Sequence, residues 1–391
     1  MVYLDNAATT FPKPRGVIKA LADSAKIYGG NPGRSGHKAS MKTAEMIYNT
    51  RIAAAKMFGT TSENIIFTQN CTHALNLAIK GVVHQSDHLI ISNLEHNSVL
   101  RPVHALSMSG RATYSSAVIS PGNPKKTAAY FERLIQKNTR AIICTHASNV
   151  TGDVFPIKEI SEVAQYYKVL LIIDAAQTAG VLPIDMQQTG IDILCCAGHK
   201  GLYGPPGTGM LVLGHDNIKL STLIEGGTGS NSIEFKQPEF VPDRYESGTL
   251  NTVGIYALGE GMKFVGSLGT EKIYNHEIGL TDRCAEAMKK LGNIILYGMY
   301  GESQNLTDSL AKRVPVLSFN IDGLESGETA RRLSEMDIAV RAGLHCSPLA
   351  HQHLKTLESG TVRVSPGVFN TSHDIDYFIS CVKKIKVRAI S

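Results

Sequence analysis

Short runs that are apolar on both faces recur along the first half of the chain. Six of them are rich in Ile, Leu and Val and lie beside Gly or Asp, at 64–68, 88–92, 140–144, 169–173, 192–196 and 209–213. Runs of this length predict buried β-strands that are covered on both sides. Segments with helical spacing lie between several of them, at 43–58, 128–137 and 157–167. The alternation predicts an α/β domain with a largely parallel sheet.

The C-terminal third of the chain has a different pattern. Its predicted elements are helices at 252–268 and 271–291, a strand at 315–321 and a final helix at 374–387. We therefore predict a large α/β domain over residues 15–260, and a smaller α+β domain formed by residues 1–14 and 261–391. The stretch 225–243 is rich in Gly, Ser and Pro and has no period, which is typical of a functional or interface loop.

Composition narrows the class of protein. The chain has 391 residues, 43% hydrophobic and 19% charged, with a net charge of +5, so disorder is excluded as the main state. No basic stripe with aromatic residues marks a nucleic-acid surface. The longest aliphatic run is far shorter than the ~20 residues of a membrane span. The seven cysteines form no CxxC pair, and the N-terminus does not have the pattern of a secretion signal, so we expect a cytoplasmic protein.

Ionisable and amide side chains follow the predicted strands where those strands end. They are Asp174, Lys200, His96, His146 and Asn149. Ligands of open α/β sheets bind beyond the carboxyl ends of the strands, so we expect these groups on one rim. A lysine amine forms Schiff bases with carbonyl cofactors, and pyridoxal phosphate also needs an acid beside its ring nitrogen. From spacing alone, a surface lysine and a helix-capping aspartate fit Lys200 and Asp174 equally well.

Longer motifs surround these residues. They are YLDNAATT at 3–10, NPGRSGH at 31–37, FTQNCTHALN at 67–76, EHN at 95–97, DAAQTAG at 174–180, GHKGLYGPPGTG at 198–209, RAGLHC at 341–346, VRVS at 362–365 and FNT at 369–371. In this order they resemble the class V aminotransferase superfamily of fold-type I pyridoxal phosphate enzymes. Within it, the chain looks like a second-group cysteine desulfurase or selenocysteine lyase. The resemblance implies a large domain with a mostly parallel seven-stranded sheet and a smaller C-terminal α+β domain.

The resemblance assigns roles around the cofactor, pyridoxal 5'-phosphate. Lys200 matches the Schiff-base lysine, and Asp174 matches the acid that pairs with the ring nitrogen. Gln177 matches the donor to the phenolate oxygen. His96 matches the imidazole that stacks on the ring and transfers protons, and Asn149 lies by the ring and the substrate.

The resemblance also assigns residues that bind the cofactor phosphate and the substrate. The phosphate site draws on Thr72, the amide of Cys71, His199 and, from a partner subunit, Thr249. The substrate α-carboxylate is held by Arg363, since a guanidinium suits a bidentate pair. The other residues placed at the substrate are Asn149, Ala8, His37 and Arg341. A homodimer follows from the role of Thr249, and no metal is implied.

Cys346 separates the possible reactions. It lies in a Gly- and Pro-containing loop beside Arg341 and His345, so we expect it to be exposed and reactive, unlike the strand cysteines. The resemblance implies conversion of L-cysteine to L-alanine with transfer of sulfur to Cys346 as a persulfide, for delivery to an acceptor protein or a reductant. Selenocysteine lyase remains the alternative, with release of selenium and L-alanine. A transaminase or carbon–carbon lyase of the same superfamily would not need the thiol.

Two positions depart from the family pattern. Ala197 stands where a hydroxyl residue usually contacts the phosphate, and Leu344 stands where a histidine usually precedes the His-Cys pair. The segment 204–209 begins like a P-loop, but Met210 and Leu211 follow in place of the lysine and hydroxyl residue, which argues against a nucleoside triphosphatase. An interaction protein without catalysis is disfavoured by the intact set of Lys200, Asp174, Gln177 and Arg363.

Overall fold

The computed structural model describes residues 1–33, 36–298 and 312–385. The strands are β1 (Val2–Tyr3), β2 (Ile65–Thr68), β3 (Asp87–Ser92), β4 (Ala112–Ala117), β5 (Thr139–Thr145), β6 (Leu170–Asp174), β7 (Ile193–Ala197), β8 (Gly209–Leu213), β9 (Ile294–Leu296), β10 (Leu317–Ile321), β11 (Ile338–Ala339), β12 (Arg341–Gly343) and β13 (Thr361–Val364). The helices are α1 (Arg15–Ile27), α2 (Lys38–Phe58), α3 (Cys71–Val82), α4 (Asn97–Met108), α5 (Pro124–Glu132), α6 (Ile157–Tyr167), α7 (Met186–Thr189), α8 (Thr252–Leu268), α9 (Thr270–Lys289), α10 (Ser326–Ser334), α11 (Pro348–Leu354) and α12 (Ser372–Lys384).

A seven-stranded sheet forms the larger layer, in the order β2-β8-β7-β6-β5-β3-β4. Strand β8 is antiparallel to both neighbours, and the other pairs are parallel. The interior strands are aliphatic on both faces, and Ile142 and Ile172 are fully buried in the two hydrophobic clusters that cover opposite sides. This architecture confirms the mostly parallel α/β fold class.

Two smaller sheets lie in the C-terminal part. Strands β12, β13, β10 and β9 form an antiparallel sheet in that order. Strand β1 pairs in parallel with β11, and Leu4 is fully buried in a cluster with residues of α9 and α12. The N-terminal residues therefore pack on the C-terminal part, and the domain bounds proposed from the sequence stay a prediction.

Several elements differ from the predicted bounds. Strand β4 was not predicted because its sequence ATYSSA is polar and it lies at the edge of the sheet. Helix α5 begins at Pro124 with Asn123 as its cap and ends at Glu132, so the prediction of 128–137 was displaced. Helix α12 ends at Lys384, whereas the predicted end at Val387 lies outside the described residues. The segment 225–243 contains no α-helix or strand, as expected, and a short 3-10 helix begins at its last residue, Asp243.

Four chain segments converge at the carboxyl edge of the large sheet. Strand β6 ends at Asp174, and β7 ends three residues before Lys200. Helix α3 begins at this edge, and so does α4, whose cap is His96. Within the described ranges, no helix has the length and apolar character required to cross a membrane.

Candidate active site

A cavity that opens to solvent lies at this edge. Its lining residues are Ala7, Ala8, Asn70, Cys71, Thr72, His96, Ser98, Thr145, Ala147, Asn149, Asp174, Ala176, Gln177, Ala197, His199, Lys200, Arg341, His345 and Arg363. Most of the residues singled out from the sequence thus share one cavity. His146 donates its amide to the Asp174 carbonyl at 2.8 Å, but its side chain is not part of the lining.

Asp174 is the buried acid at the floor of the cavity, with 3% of its surface exposed. Its Oδ1 accepts from the Ala176 amide at 2.9 Å and from the Cys71 thiol at 3.4 Å. The contact from Cys71 was not foreseen, because the sequence suggested that this residue acts only through its backbone amide. Burial raises the pKa of Cys71 well above its usual value, so the sulfur remains a protonated donor. Both contacts orient the carboxylate.

Lys200 is the amine of the cavity. Burial lowers its pKa, the positive charge of Arg363 acts in the same direction, and the negative charge of Asp174 opposes both. A lowered pKa increases the share of neutral amine, which is the form that attacks a carbonyl carbon or accepts a proton. Gln177 stands nearby and donates its amide to the Ala7 carbonyl at 3.1 Å.

His96 caps α4 with its imidazole. Its Nδ1 accepts from the backbone amide of Ser98 at 3.1 Å, so in the neutral ring the proton is on Nε2. Burial lowers the pKa of His96 to about 4, with Lys200 and Arg341 adding to the effect and Asp174 opposing it. Near neutral pH, His96 is therefore an uncharged N–H donor. Ser98 also contacts Nδ1 through its hydroxyl at 2.7 Å, a contact that sequence reasoning missed.

The start of α3 forms one end of the cavity. Asn70 caps the helix by accepting from the His73 amide at 2.9 Å, while Cys71 and Thr72 begin the first turn at the cavity wall. Free backbone amides and the helix dipole favour a phosphate here. The ring of His199 lies in the same cavity, and burial lowers its pKa to about 4. Ala197 lines the cavity without a hydroxyl group, so the predicted loss of one phosphate contact stays a prediction.

Arg363 is the most deeply buried cation of the cavity, with 1% of its surface exposed. One nitrogen donates to Oδ1 of Asp5 at 2.8 Å, and another donates to the Asn149 carbonyl at 3.2 Å. Its Nε is buried without a hydrogen-bond partner. A buried cation with a spare donor suits a carboxylate ligand, since an unpaired buried donor is costly.

Cys346 lies beside the cavity on the turn between β12 and α11. All seven cysteines are in the described residues, and Cys346 is exposed whereas the other six are buried. Its sulfur is 3.6 Å from a guanidinium nitrogen of Arg341. We expected the imidazole of His345 beside this thiol. Its Nε2 is instead directed at Thr361, at 3.0 Å. Burial lowers the pKa of His345 to about 2, so the ring stays neutral.

Two predicted residues lie elsewhere on the chain. His37 is exposed and caps α2 by accepting from the Ser40 amide at 3.2 Å, so within one chain it does not reach the cavity. Arg34 and Ser35 of the same motif lie outside the described residues. Thr249 is also exposed and away from this cavity. Its predicted role involves a second subunit and stays a prediction.

The donor set fits pyridoxal phosphate. An acid for the ring nitrogen, an amine for the aldehyde and a helix start for the phosphate line one cavity, and the unpartnered Nε of Arg363 is left for a substrate carboxylate. In the described parts of the chain, no group of three or more His, Cys, Asp or Glu side chains is arranged to hold a metal ion.

Comparison with known proteins identifies related chains. The sequence model of the family described as aminotransferase class-V matches residues 2–378. A probable cysteine desulfurase of Methanothermobacter thermautotrophicus is 31% identical, with 98% of this chain and 94% of the relative covered. One of Halalkalibacterium halodurans is 29% identical over 99% of this chain and 93% of its own length. The apo structure of a cysteine desulfurase from Thermococcus onnurineus superposes with a TM-score of 0.88 at 26% identity, covering 98% and 94% of the two chains.

Proposed function

The chain belongs to the aminotransferase class-V family, and we propose that it is a pyridoxal-phosphate-dependent cysteine desulfurase that converts L-cysteine to L-alanine. The observation that carries the proposal is Cys346, the exposed cysteine, next to a cavity that holds Lys200, Asp174 and Arg363. A transaminase or carbon–carbon lyase needs no thiol at this position. The names of the related proteins support the same activity.

The cofactor site is built from groups that hold charge and orientation. Bound pyridoxal phosphate supplies an electron sink for the negative charge that develops on the substrate Cα. Asp174, fixed by Ala176 and Cys71, keeps a negative charge at the ring nitrogen. Lys200 provides the amine that holds the aldehyde, and the first turn of α3 with His199 receives the phosphate.

Substrate binding and proton transfer use other side chains. Arg363 binds the α-carboxylate through its buried guanidinium, while Asp5 holds another of its nitrogens. Once released, Lys200 accepts the Cα proton in its neutral form, which burial favours. His96, with its proton on Nε2, donates a hydrogen bond rather than accepting one.

Sulfur transfer takes place on Cys346. Its thiolate attacks the substrate Sγ, an S–S bond forms, and the substrate Cβ–Sγ bond breaks with its electron pair left on the carbon side. Protonation at Cβ and return of a proton to Cα from Lys200 then yield alanine. A thiol and cysteine thus become a persulfide and alanine, so no external oxidant is needed for this step. Arg341, 3.6 Å from the sulfur, places a positive charge beside the group that attacks.

Release of alanine tests the proposal. The loaded protein receives L-cysteine under reducing conditions, with Cys346→Ala beside it. We expect the wild type to form alanine and the variant to lose it, with unchanged cofactor content. Alanine formation from cysteine by Cys346→Ala at the wild-type rate would contradict the proposal.

Selenocysteine lyase is the second candidate. The inward-facing ring of His345 favours it, because among the described residues Arg341 contacts the Cys346 thiol while the neighbouring imidazole is directed at Thr361. A C–Se bond is weaker than a C–S bond and depends less on the thiol. Alanine formed from selenocysteine alone, or retained there in Cys346→Ala, would move the assignment to this activity.

Two broader properties belong to the same proposal. A homodimer is supported by the exposure of Thr249 outside the cavity of its own chain, and sedimentation analysis would test it. A reducing cytoplasm is supported by seven unpaired cysteines, and an acceptor protein or a reductant would remove the sulfur from Cys346.

A further inference from the structure

The loop that carries Cys346 has an unusual backbone. His345 and Cys346 both adopt left-handed conformations, with φ of 48° and 58°. Consecutive left-handed residues other than glycine are unfavourable by themselves, so surrounding contacts must hold them. One such contact is backbone to backbone, from the amide of Asn97 to the carbonyl of Cys346 at 2.7 Å.

Asn149 supplies the contacts on both sides of the cysteine. Its Nδ2 donates to the carbonyl of His345 at 2.8 Å, and its Oδ1 accepts from the hydroxyl of Ser347 at 2.7 Å. A carbonyl only accepts, so the orientation of the amide is determined by the first bond. One side chain therefore joins the residues that immediately precede and follow Cys346.

The same residue is tied to the carboxylate site. The backbone carbonyl of Asn149 accepts from Arg363 at 3.2 Å, and its side chain lines the cavity with 8% of its surface exposed. The amide nitrogen carries two protons, and the bond to His345 uses one of them. Asn149 thus lies between the guanidinium that binds substrate and the loop that presents the thiol.

We propose that Asn149 is a positioning residue for Cys346: through His345 and Ser347 it holds the sulfur beside Arg341 and links thiol placement to the carboxylate site. The proposal deepens the desulfurase assignment and rests on it for its catalytic consequence. Ser347, which does not line the cavity, acts on Cys346 through the Asn149 amide. Their effects on the thiol are therefore shared rather than independent.

A double-mutant cycle on thiol reactivity tests the link. The cofactor-loaded wild type, Asn149→Ala, Ser347→Ala and the double variant react with iodoacetamide at one fixed pH, and mass spectrometry follows modification at Cys346. Each single change is expected to slow modification by about threefold or more, because the sulfur loses its fixed place beside the guanidinium. The double variant is expected to match Asn149→Ala. Effects that multiply, or single variants at the wild-type rate, would overturn the proposal.

Two further variants separate positioning from general damage. Ser318→Ala removes one buried hydrogen bond to the carbonyl of Val150, next to Asn149, without touching the cysteine loop. We expect it to react at the wild-type rate, and an equal slowing there would contradict the specific link. Ser347→Thr keeps the hydroxyl and is expected to restore the rate lost in Ser347→Ala.

Steady-state kinetics then connect the link to catalysis. Ser347→Ala is expected to lower kcat for alanine formation from cysteine about tenfold with KM within about twofold, since only thiol placement changes. A rise in KM with unchanged kcat would contradict the proposal. If the wild type forms no alanine, the desulfurase assignment fails, while the alkylation cycle still decides whether Asn149 positions Cys346.

Discussion

The two walls of the cavity are built in different ways. Asp174 ends one interior strand of the large sheet and Lys200 follows another, and both strands are paired on both sides and almost entirely buried. Arg341 lies on the three-residue strand β12, at one edge of the smaller sheet, and Cys346 follows on a left-handed turn. The first, which we call the strand wall, obtains its geometry from regular backbone pairing. The second, the loop wall, obtains its geometry from individual side-chain hydrogen bonds.

This difference shows what fixes the positions of the active-site side chains on each wall. On the strand wall, a substitution in the active site leaves the framework intact, because the framework lies in the aliphatic strands. On the loop wall, the residues next to Cys346 are themselves the ones held by hydrogen bonds, so a substitution there also changes the framework. We therefore expect chemistry to be lost on the first wall and geometry on the second.

The largest expected effect is on the strand wall. Lys200→Ala should lower alanine formation from either cysteine or selenocysteine by at least about 10³-fold, because the amine and the proton acceptor are both removed. Borohydride reduction followed by mass spectrometry should retain the cofactor on the wild type and not on the variant. Equal cofactor retention in the variant would place the reactive amine elsewhere.

Arg363→Lys tests the position where the two walls meet. Lysine keeps the charge but cannot donate to Asp5, to Asn149 and to a carboxylate in the same planar arrangement. We expect KM for cysteine to rise about 30-fold, equivalent to about 2 kcal/mol for charge-assisted hydrogen bonds. Initial rates over a range of cysteine concentrations measure it. A fall in kcat with KM unchanged would argue against carboxylate binding by Arg363.

Arg341→Gln probes the loop wall with a smaller effect. The cation 3.6 Å from the sulfur is replaced by a neutral group of similar reach. We expect desulfurase turnover to fall about five- to tenfold, the effect of roughly 1 kcal/mol between unit charges at this distance in water. Turnover of selenocysteine should fall less if that reaction depends less on the thiol. Unchanged iodoacetamide reactivity at Cys346 would contradict this role.

The smallest effect concerns a contact that links the two parts of the molecule. The hydroxyl of Tyr203, just after Lys200, donates to Glu277 on α9 at 3.1 Å. Burial raises the pKa of Glu277 from 4.5 to about 8, so the folded protein binds a proton that the unfolded chain releases between these values. The associated stability is complete below about pH 4.5 and is lost as pH rises through about 8.

Glu277→Gln removes this titration while keeping an oxygen for Tyr203. Melting temperatures of both proteins from pH 6 to pH 9 should show a decline that is steeper in the wild type by about 2 °C. Parallel curves would mean that Glu277 is ionised throughout this range. Activity should change little, and the measurement therefore isolates the link from the catalytic groups.

How much of the molecule could be predicted follows the same division. The six apolar runs coincide with β2, β3, β5, β6, β7 and β8 to within a residue or so at each end, because buried interior strands have continuous aliphatic sequences. Edge strand β4 is mostly polar, and strands β9 and β12, with three residues each, are too short to give a periodic signal. The expectation that ligands bind beyond the carboxyl ends of the strands correctly grouped Asp174, Lys200 and His96.

The structure of the loop wall could be predicted from the sequence only in part. Exposure of Cys346 could be predicted from the composition of its loop, and the strand cysteines are buried as expected. The inward ring of His345 and the bonds from Asn149 to both flanks could not, because they depend on backbone angles that no sequence spacing determines. The thiol of Cys71 on Asp174 was missed for a similar reason, since the direction of a side chain at a helix start depends on its tertiary neighbours.

The pairing of the N-terminal residues with the C-terminal part has a consequence for biosynthesis. Asp5 holds Arg363 across 358 positions of sequence. A ribosome adding about 5–20 residues per second leaves Asp5 without that partner for roughly 20–70 seconds. During this interval, the nascent chain can pair most of the large sheet, while β1 still lacks its partner strand β11. The carboxylate site is therefore among the last parts of the protein to be completed as the chain is made.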